Sequence, residues 1–211
     1  PYGLRRSAML PVYGLAEASL AVAFPPPGSD YKYLTVDRRS LGVGATAKHV
    51  GEDEPGAIRL MCEGKPIPYT SVKLLDDAGA EVGPDVVGHL LISGDNVTRG
   101  YYENPEANAA AVTADGWVRT GDLALWHEGE LYVTGRSKEI IFVNGQNYYP
   151  HDLESVLQAE PGLELGKVIA AGARSAASPT DELVLFVLHR SDMADFLPLA
   201  TRATHLINEH A

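Results

Sequence analysis

The chain has 211 residues, 45% hydrophobic and 21% charged, enough to bury one sizeable core or two smaller ones. A formal net charge of -11 excludes the basic face that a nucleic-acid partner needs, but leaves room for a nucleotide held by a few local groups. Cys62 is the only cysteine, which rules out an internal disulfide and a thiolate metal cluster and fits a reducing, cytoplasmic setting.

No stretch approaches the ~18 consecutive apolar residues of a membrane span, so none is expected. The opening "PYGLRRSAML" has no signal-peptide pattern and no initiator Met, and it starts inside what reads as a running element. The sequence is therefore expected to be an excised piece of a longer protein. Residues 9–13, "MLPVY", read as a short strand delivering side chains to a loop. Pro25 to Gly56 is rich in turn formers and weakly periodic, and is expected to be a long functional or mobile excursion with one short helix.

From Ile58 the texture becomes that of strands. "SVKLLDDAGAEV" predicts a hairpin, "GHLLISG" a strand, "ALWHEGELYVTG" a second hairpin and "KEIIFVNGQNYY" a third, turning at Asn144-Gly145. A short helix is expected to start near Pro105. After Tyr149 the period changes. Pro150, Asp152 and Glu154 open a helix lined by Leu153, Val156 and Leu157. Two strands, "KVIAAGA" and "ELVLFVLH", precede a last helix over 192–210 carrying Phe196, Leu199, Ala203, Leu206 and Ile207 at helical spacing. The fold class is α+β: an antiparallel barrel-like β subdomain, preceded by a remnant of a larger α/β layer and followed by the start of a small α+β domain. The boundary falls between residues 1–135 and 136–211.

Several motifs are false leads. "GVGATA" has the letters of a dinucleotide fingerprint, but polar "DRRS" stands where a strand must precede it. "NVT" at Asn96 is a glycosylation sequon by letters only. His205 and His210 do not share a helical face. Four other stretches carry chemistry. "YGLAE" puts an aromatic, Tyr13, and a carboxylate, Glu17, just past a strand, where they could serve a base and Mg²⁺ or simply be a core Tyr and a helix-capping Glu. "DGWVRTGDLA" puts Asp122 after a Thr-Gly corner, able to accept from a ribose diol or to act as a turn residue. "TGRSKE" offers Arg136 and Lys138, donors to hydroxyl or phosphate oxygens or surface ion-pair partners. "GDNVTRGYYENPE" is a Gly-bounded loop with adjacent tyrosines.

Taken in order, "YGLAE", "EGKPIPYTSVKLLDDAG", "GHLLISGDNVTRGYYENPE", "DGWVRTGDLA" and "GRSKEIIFVNGQNYYPHDLE" resemble the adenylate-forming (AMP-binding) superfamily, most closely its fatty acyl-AMP ligases. The resemblance implies activation of a fatty acid by ATP to acyl-AMP, then acyl transfer to a thiol, on a carrier protein's phosphopantetheine or on coenzyme A. It implies that Tyr13, with Gly14 beside it, stacks on adenine, that Glu17 holds Mg²⁺ in the catalytic step, and that Asp122 binds the ribose hydroxyls with Arg136 assisting. Lys138 falls at the family's hinge and Gly145 on the loop brought to the thiol channel. Ala16 departs from the Thr that much of the superfamily carries. The family's phosphate loop and adenylation lysine are not in the 211 residues, so this chain alone is expected to turn over negligibly. A coenzyme A-forming ligase and a non-catalytic interaction module retaining the fold are the alternatives. Exposed apolar surface, and with it dimerisation of the fragment, is a further expectation.

Overall fold

Alternating apolar and polar residues become strands where a neighbouring strand is present to pair with them, and the middle of this chain supplies such neighbours in sequence order. The structure, a computed structural model, describes residues 3–137, 139–143, 146–158, 160–164, 166–174 and 181–210. Two compact units compose it, Pro1–Ser137 and Lys138–Ala211.

The first unit contains β1 (Ala23–Phe24), β2 (Tyr33–Asp37), β3 (Ala57–Met61), β4 (Lys65–Pro66), β5 (Thr70–Leu75), β6 (Gly88–Gly94), α1 (Pro105–Ala111), β7 (Val118–His127) and β8 (Glu130–Arg136). β5, β6, β7 and β8 form an antiparallel four-stranded sheet in that order. The β7–β8 turn puts Glu128 at φ 51° and Gly129 at φ 75°, the two positive φ values that a tight hairpin turn needs to match strand twist. One face of this sheet buries Leu74, Leu90, Ile92, Val118, Ala124 and Leu131 against Tyr13, Ala18 and Val22. α1 starts as expected: Asn104 accepts the Ala107 N–H at 3.1 Å and Pro105 occupies the first turn.

Two short ribbons complete the unit, β2–β3 and β1–β4. A bridge between Gly64 and Leu131 ties the latter to β8. The pairings among the described residues give antiparallel sheets in an α+β arrangement and include no ladder that closes them into a barrel. Three details differ from the sequence reading. Residues 9–12 run beside no strand, so "MLPVY" contributes only the Tyr13–Ala23 bridge. The second arm of "SVKLLDDAGAEV" is a single bridge, Leu75 to Glu81, and the long ladder of β5 is with β6 on its other edge. The excursion over 25–56 holds a true strand, β2, besides a 3-10 turn at Arg38–Ser40. Leu4 (71% exposed), Met9, Leu10, Val12 and Leu20 (78%) present apolar surface to solvent.

The second unit contains β9 (Ile141–Val143) and β10 (Gln146–Tyr148) as a hairpin, α2 (Pro150–Leu157), the antiparallel pair β11 (Val168–Arg174) and β12 (Asp181–Val187), and α3 (Met193–His210). Its core packs Leu153 and Leu157 of α2, one turn apart, with Leu199, Ala203 and Ile207 of α3, Ile141, Leu163 and Val168. Phe196 and Leu206, on the same predicted face, are only half-buried. Among the described residues no helix is long and apolar enough to cross a membrane.

Candidate functional site

The polar constellation of the first unit starts from a loop that the backbone pins at both ends. Tyr13 donates its N–H to Ala23 O at 3.0 Å and accepts from Val22 N–H at 2.9 Å, so residues 14–22 form a closed bulge. Gly14 is required there, because a Cβ on it would lie 1.7 Å from Leu20 O. Asn96, just past β6, clamps the bulge from outside. Its amide donates to Ala18 O at 3.1 Å and Ala21 O at 3.0 Å, and its side-chain oxygen accepts from Thr70 Oγ1 at 2.7 Å. The hydroxyl of Ser19, a residue at φ 63°, donates to Asn96 O.

The clamp fixes the half-buried Glu17. Its carbonyl accepts the Thr98 N–H at 2.7 Å, and its carboxylate accepts the Tyr101 hydroxyl at 2.7 Å. That bond, with the nearby negative charge, holds the Tyr101 phenol above its ordinary pKa.

Asp122 sits in β7 where the strand is irregular. Gly121 has φ 81°, and the register with β8 shifts between Leu123 and Ala124. Thr120 Oγ1 accepts the Asp122 N–H at 3.0 Å and donates to Leu90 O at 2.8 Å, which anchors the corner to β6. The carboxylate is buried, with Asp122 only 6% exposed. Its Oδ2 accepts the Tyr13 hydroxyl at 2.6 Å across 109 residues of sequence. Its Oδ1 accepts Arg136 Nε at 3.0 Å, since Arg136 is the residue directly opposite in the β7–β8 ladder. Burial first, and then the bond to Asp122, drive the Tyr13 phenol well above its ordinary value of 10.0. The result is a buried carboxylate with one neutral and one cationic donor, and each oxygen keeps a second lone pair for an incoming hydroxyl. The Arg136 side chain is 60% exposed while that of Asp122 is 8% exposed, so the pair bridges interior and solvent.

Tyr13, Asp122 and Arg136 thus lie in one hydrogen-bonded group, with Gly14 adjacent. No hydrogen bond joins Glu17 to that group among the described residues. Lys138 and Gly145 lie outside the described residues. Three supporting residues escaped the sequence reading. Asn96 was visible only as the letters of a sequon, although an Asn in a Gly-bounded loop is a signal for backbone capping. Thr120 was visible only as part of a Thr-Gly corner and Tyr101 only as one of two adjacent tyrosines, with no role given to either.

Residues 3–102 match the family model described as AMP-binding enzyme. The chain belongs with the AMP-binding enzymes. It is 37% identical over 189 residues to a 4-hydroxyphenylalkanoate adenylyltransferase of Mycobacterium marinum, covering 83% of this chain and 29% of that protein. It is also 37% identical over 174 residues to the long-chain-fatty-acid–AMP ligase FadD26 of Mycobacterium tuberculosis, covering 77% and 30%. Among solved structures, one described under fatty acyl-adenylate ligases from E. coli and L. pneumophila superposes with a TM-score of 0.85 at 30% identity, covering 98% of this chain and 36% of that one. The chain therefore spans about a third of the length of these AMP-binding relatives.

Proposed function

We propose that the chain is the part of an ATP-dependent acyl-adenylate-forming ligase that grips the nucleotide, residues 1–135 belonging to the large adenylation domain and 136–211 to the small mobile one. The observation that carries this reading is the Tyr13–Asp122–Arg136 group, built from three of the stretches that resemble the family. A ribose diol donates two hydroxyl protons, and a carboxylate held rigidly by Tyr13 and Arg136 accepts both without reorganising. Tyr13, at 8% exposure, offers adenine a limited part of its ring, so its larger contribution is to fix Asp122. Glu17 can give Mg²⁺ one carboxylate ligand, leaving the other positions to water and substrate phosphates. When bound, that ion would neutralise charge on the phosphates.

In the first step a carboxylate oxygen of the fatty acid attacks the α-phosphorus. The P–O bond to the β-phosphate breaks, and pyrophosphate leaves with its electron pair. Both reactants are anionic, so placement and charge neutralisation set the rate. In the second step the sulfur of a carrier protein's phosphopantetheine attacks the acyl carbon, the C–O bond to the phosphate breaks, AMP leaves and the thiol proton goes to solvent, with Lys138 as the hinge and Gly145 on the loop at the thiol channel. The names of the relatives, one for 4-hydroxyphenylalkanoates and one for long-chain fatty acids, support a hydrophobic carboxylate as substrate. We further place the reaction in the cytoplasm.

The test is pyrophosphate release from ATP with fatty acids of graded length, by the natural polypeptide that contains these residues and by the 211-residue chain. The natural polypeptide is expected to respond to fatty acid and to lose about 100-fold on Asp122→Ala, while the chain alone stays at background. Release from the chain alone would overturn the proposed inactivity. No fatty-acid-dependent release from the natural polypeptide would overturn the ligase reading in favour of a non-catalytic module. Transfer to coenzyme A rather than a carrier protein in the second step would favour an acyl-CoA ligase.

A further inference from the structure

A second cluster in the first unit shares no residue with the nucleotide group. His49, Asp85 and His127 come from three separate stretches, yet one potential ligand atom from each lies within 4.8 Å of the other two. His49 Nε2 is 3.2 Å from Asp85 Oδ1, and His127 Nδ1 is 2.7 Å from the same oxygen. The two imidazole rings stand 4.7 Å apart, centroid to centroid. We propose that His49, Asp85 and His127 form a site for a divalent transition-metal ion, Zn²⁺ foremost, that clasps the excursion preceding β3 to the end of β7 in the four-stranded sheet.

The backbone assembles this site before any ion arrives. His49 is held by a bridge to Val36, with Asp37 N–H donating to Lys48 O and Val50 N–H donating to Thr35 O on either side. Asp85 donates its N–H to Trp126 O and accepts the Ala47 N–H, both at 2.7 Å. Its φ of 60° is the left-handed conformation that Asp tolerates better than most residues, and it turns the carboxylate towards the two rings. His127 closes β7, opposite Glu130 in the ladder, with its ring edge-on to Tyr132 at 6.1 Å. Main-chain hydrogen bonds thus fix Asp85 itself and the residue before each histidine, Lys48 and Trp126. Such preorganisation is what separates a metal site from a chance meeting of surface groups.

The distances match the chemistry. Around tetrahedral Zn²⁺, with bonds of ~2.0–2.1 Å, neighbouring ligand atoms stand about 3.3–3.4 Å apart. The two separations to Asp85 Oδ1, 3.2 and 2.7 Å, both fall short of that figure, and all three ligand atoms lie within 4.8 Å of one another. Movements of about an ångström or less would complete the triangle. Two imidazoles and one carboxylate favour Zn²⁺, Ni²⁺ or Cu²⁺ over Mg²⁺ or Ca²⁺, which prefer oxygen. The side chain of His49 is 43% exposed and that of His127 22%, so an ion can enter and a water can take the fourth position. The competing arrangement is a pair of neutral imidazoles donating to one carboxylate oxygen, with no ion involved.

Equilibrium dialysis and calorimetry with Zn²⁺ alone, on chelator-stripped chain, separate the two. The expected result is one equivalent bound, with a thermal unfolding midpoint that rises with Zn²⁺. Asp85→Asn and His127→Ala should each weaken binding by more than the ~10–100-fold that loss of an outer partner costs, and abolish the thermal shift. Asparagine keeps the tolerance for the left-handed backbone, and the half-exposed His49→Gln offers a third variant with little packing to lose. His205→Ala, on α3, should change nothing. Stoichiometric binding that persists unchanged in His49→Gln and Asp85→Asn, or no binding by the unsubstituted chain, would overturn the site in favour of the hydrogen-bonded pair.

Discussion

Removing the Tyr13 hydroxyl probes the candidate nucleotide group at its most constrained point. The bond from Tyr13 to Asp122 is 2.6 Å long, and the two residues are only 8% and 6% exposed. Tyr13→Phe deletes that donor and leaves Asp122 Oδ2 buried without a protein partner. A buried hydrogen bond to a charged group contributes ~1.5–3 kcal/mol, so Tyr13→Phe should destabilise the first unit by about that amount. Asp122→Asn keeps the shape but removes the charge. Its ion pair with Arg136 contributes under about 1 kcal/mol, because the arginine side chain is 60% exposed. Most of the cost of Asp122→Asn therefore also comes from Tyr13, and the two losses should overlap in the double variant by ~1.5–2.5 kcal/mol. Both tryptophans, Trp117 and Trp126, lie in the unit Pro1–Ser137, so their fluorescence in a urea titration reports that unit alone. Single variants within ~0.5 kcal/mol of the parent, with additive effects, would show that phenol and carboxylate do not act on one another in solution. The argument for a rigid carboxylate would then fail.

Three further outcomes follow from the same geometry. Gly14→Ala forces a Cβ to within 1.7 Å of Leu20 O, and should cost about 3 kcal/mol or more in the same titration; a cost under ~1 kcal/mol would mean the 14–22 bulge can open. Asn96→Ala removes bonds to Ala18, Ala21 and Thr70 and should cost ~2–3 kcal/mol, with faster amide exchange at residues 17–22 as the local signature. Glu63 is pushed up to about 7 from its ordinary 4.5 by burial, only partly offset by the Val133 N–H. Its folded form favours the proton, so its contribution is full below pH 4.5 and is lost as pH rises through 7. Glu63→Gln should accordingly remove about 1–3 kcal/mol of the stability decline over that window; stability profiles that run parallel would contradict it.

How much of this was legible in the sequence depended on the range of the contacts involved. β6, α1, β7–β8 and the α2–β11–β12–α3 tail follow from local period and turn chemistry, and the structure has them where the sequence puts them. Strandedness at residues 9–13 and 81–82 failed because alternation shows that a segment could pair but not whether a partner runs beside it. β2 was hidden for the opposite reason: "YLTVD" lies among turn formers, and its partner β3 begins twenty residues after it ends. Tyr13, Asp122 and Arg136 stood out by their local stretches and took their roles from the resemblance, but their grouping was not legible, since a bond spanning 109 residues leaves no periodic trace. The His49–Asp85–His127 cluster had neither a spacing motif nor a resemblance to betray it. It exists only once the bridges of Val36 to His49 and of Thr46 to Val86 have folded the excursion back.

The central claim is that Asp122, held by Tyr13 and Arg136, receives the ribose of an acyl-adenylate. The most direct measurement is calorimetric titration of the chain with a non-hydrolysable acyl-adenylate mimic, beside folded Asp122→Asn. The account predicts binding by the parent chain that weakens at least ~10-fold in the variant, two charge-assisted bonds being lost. Equal affinity in both would contradict it.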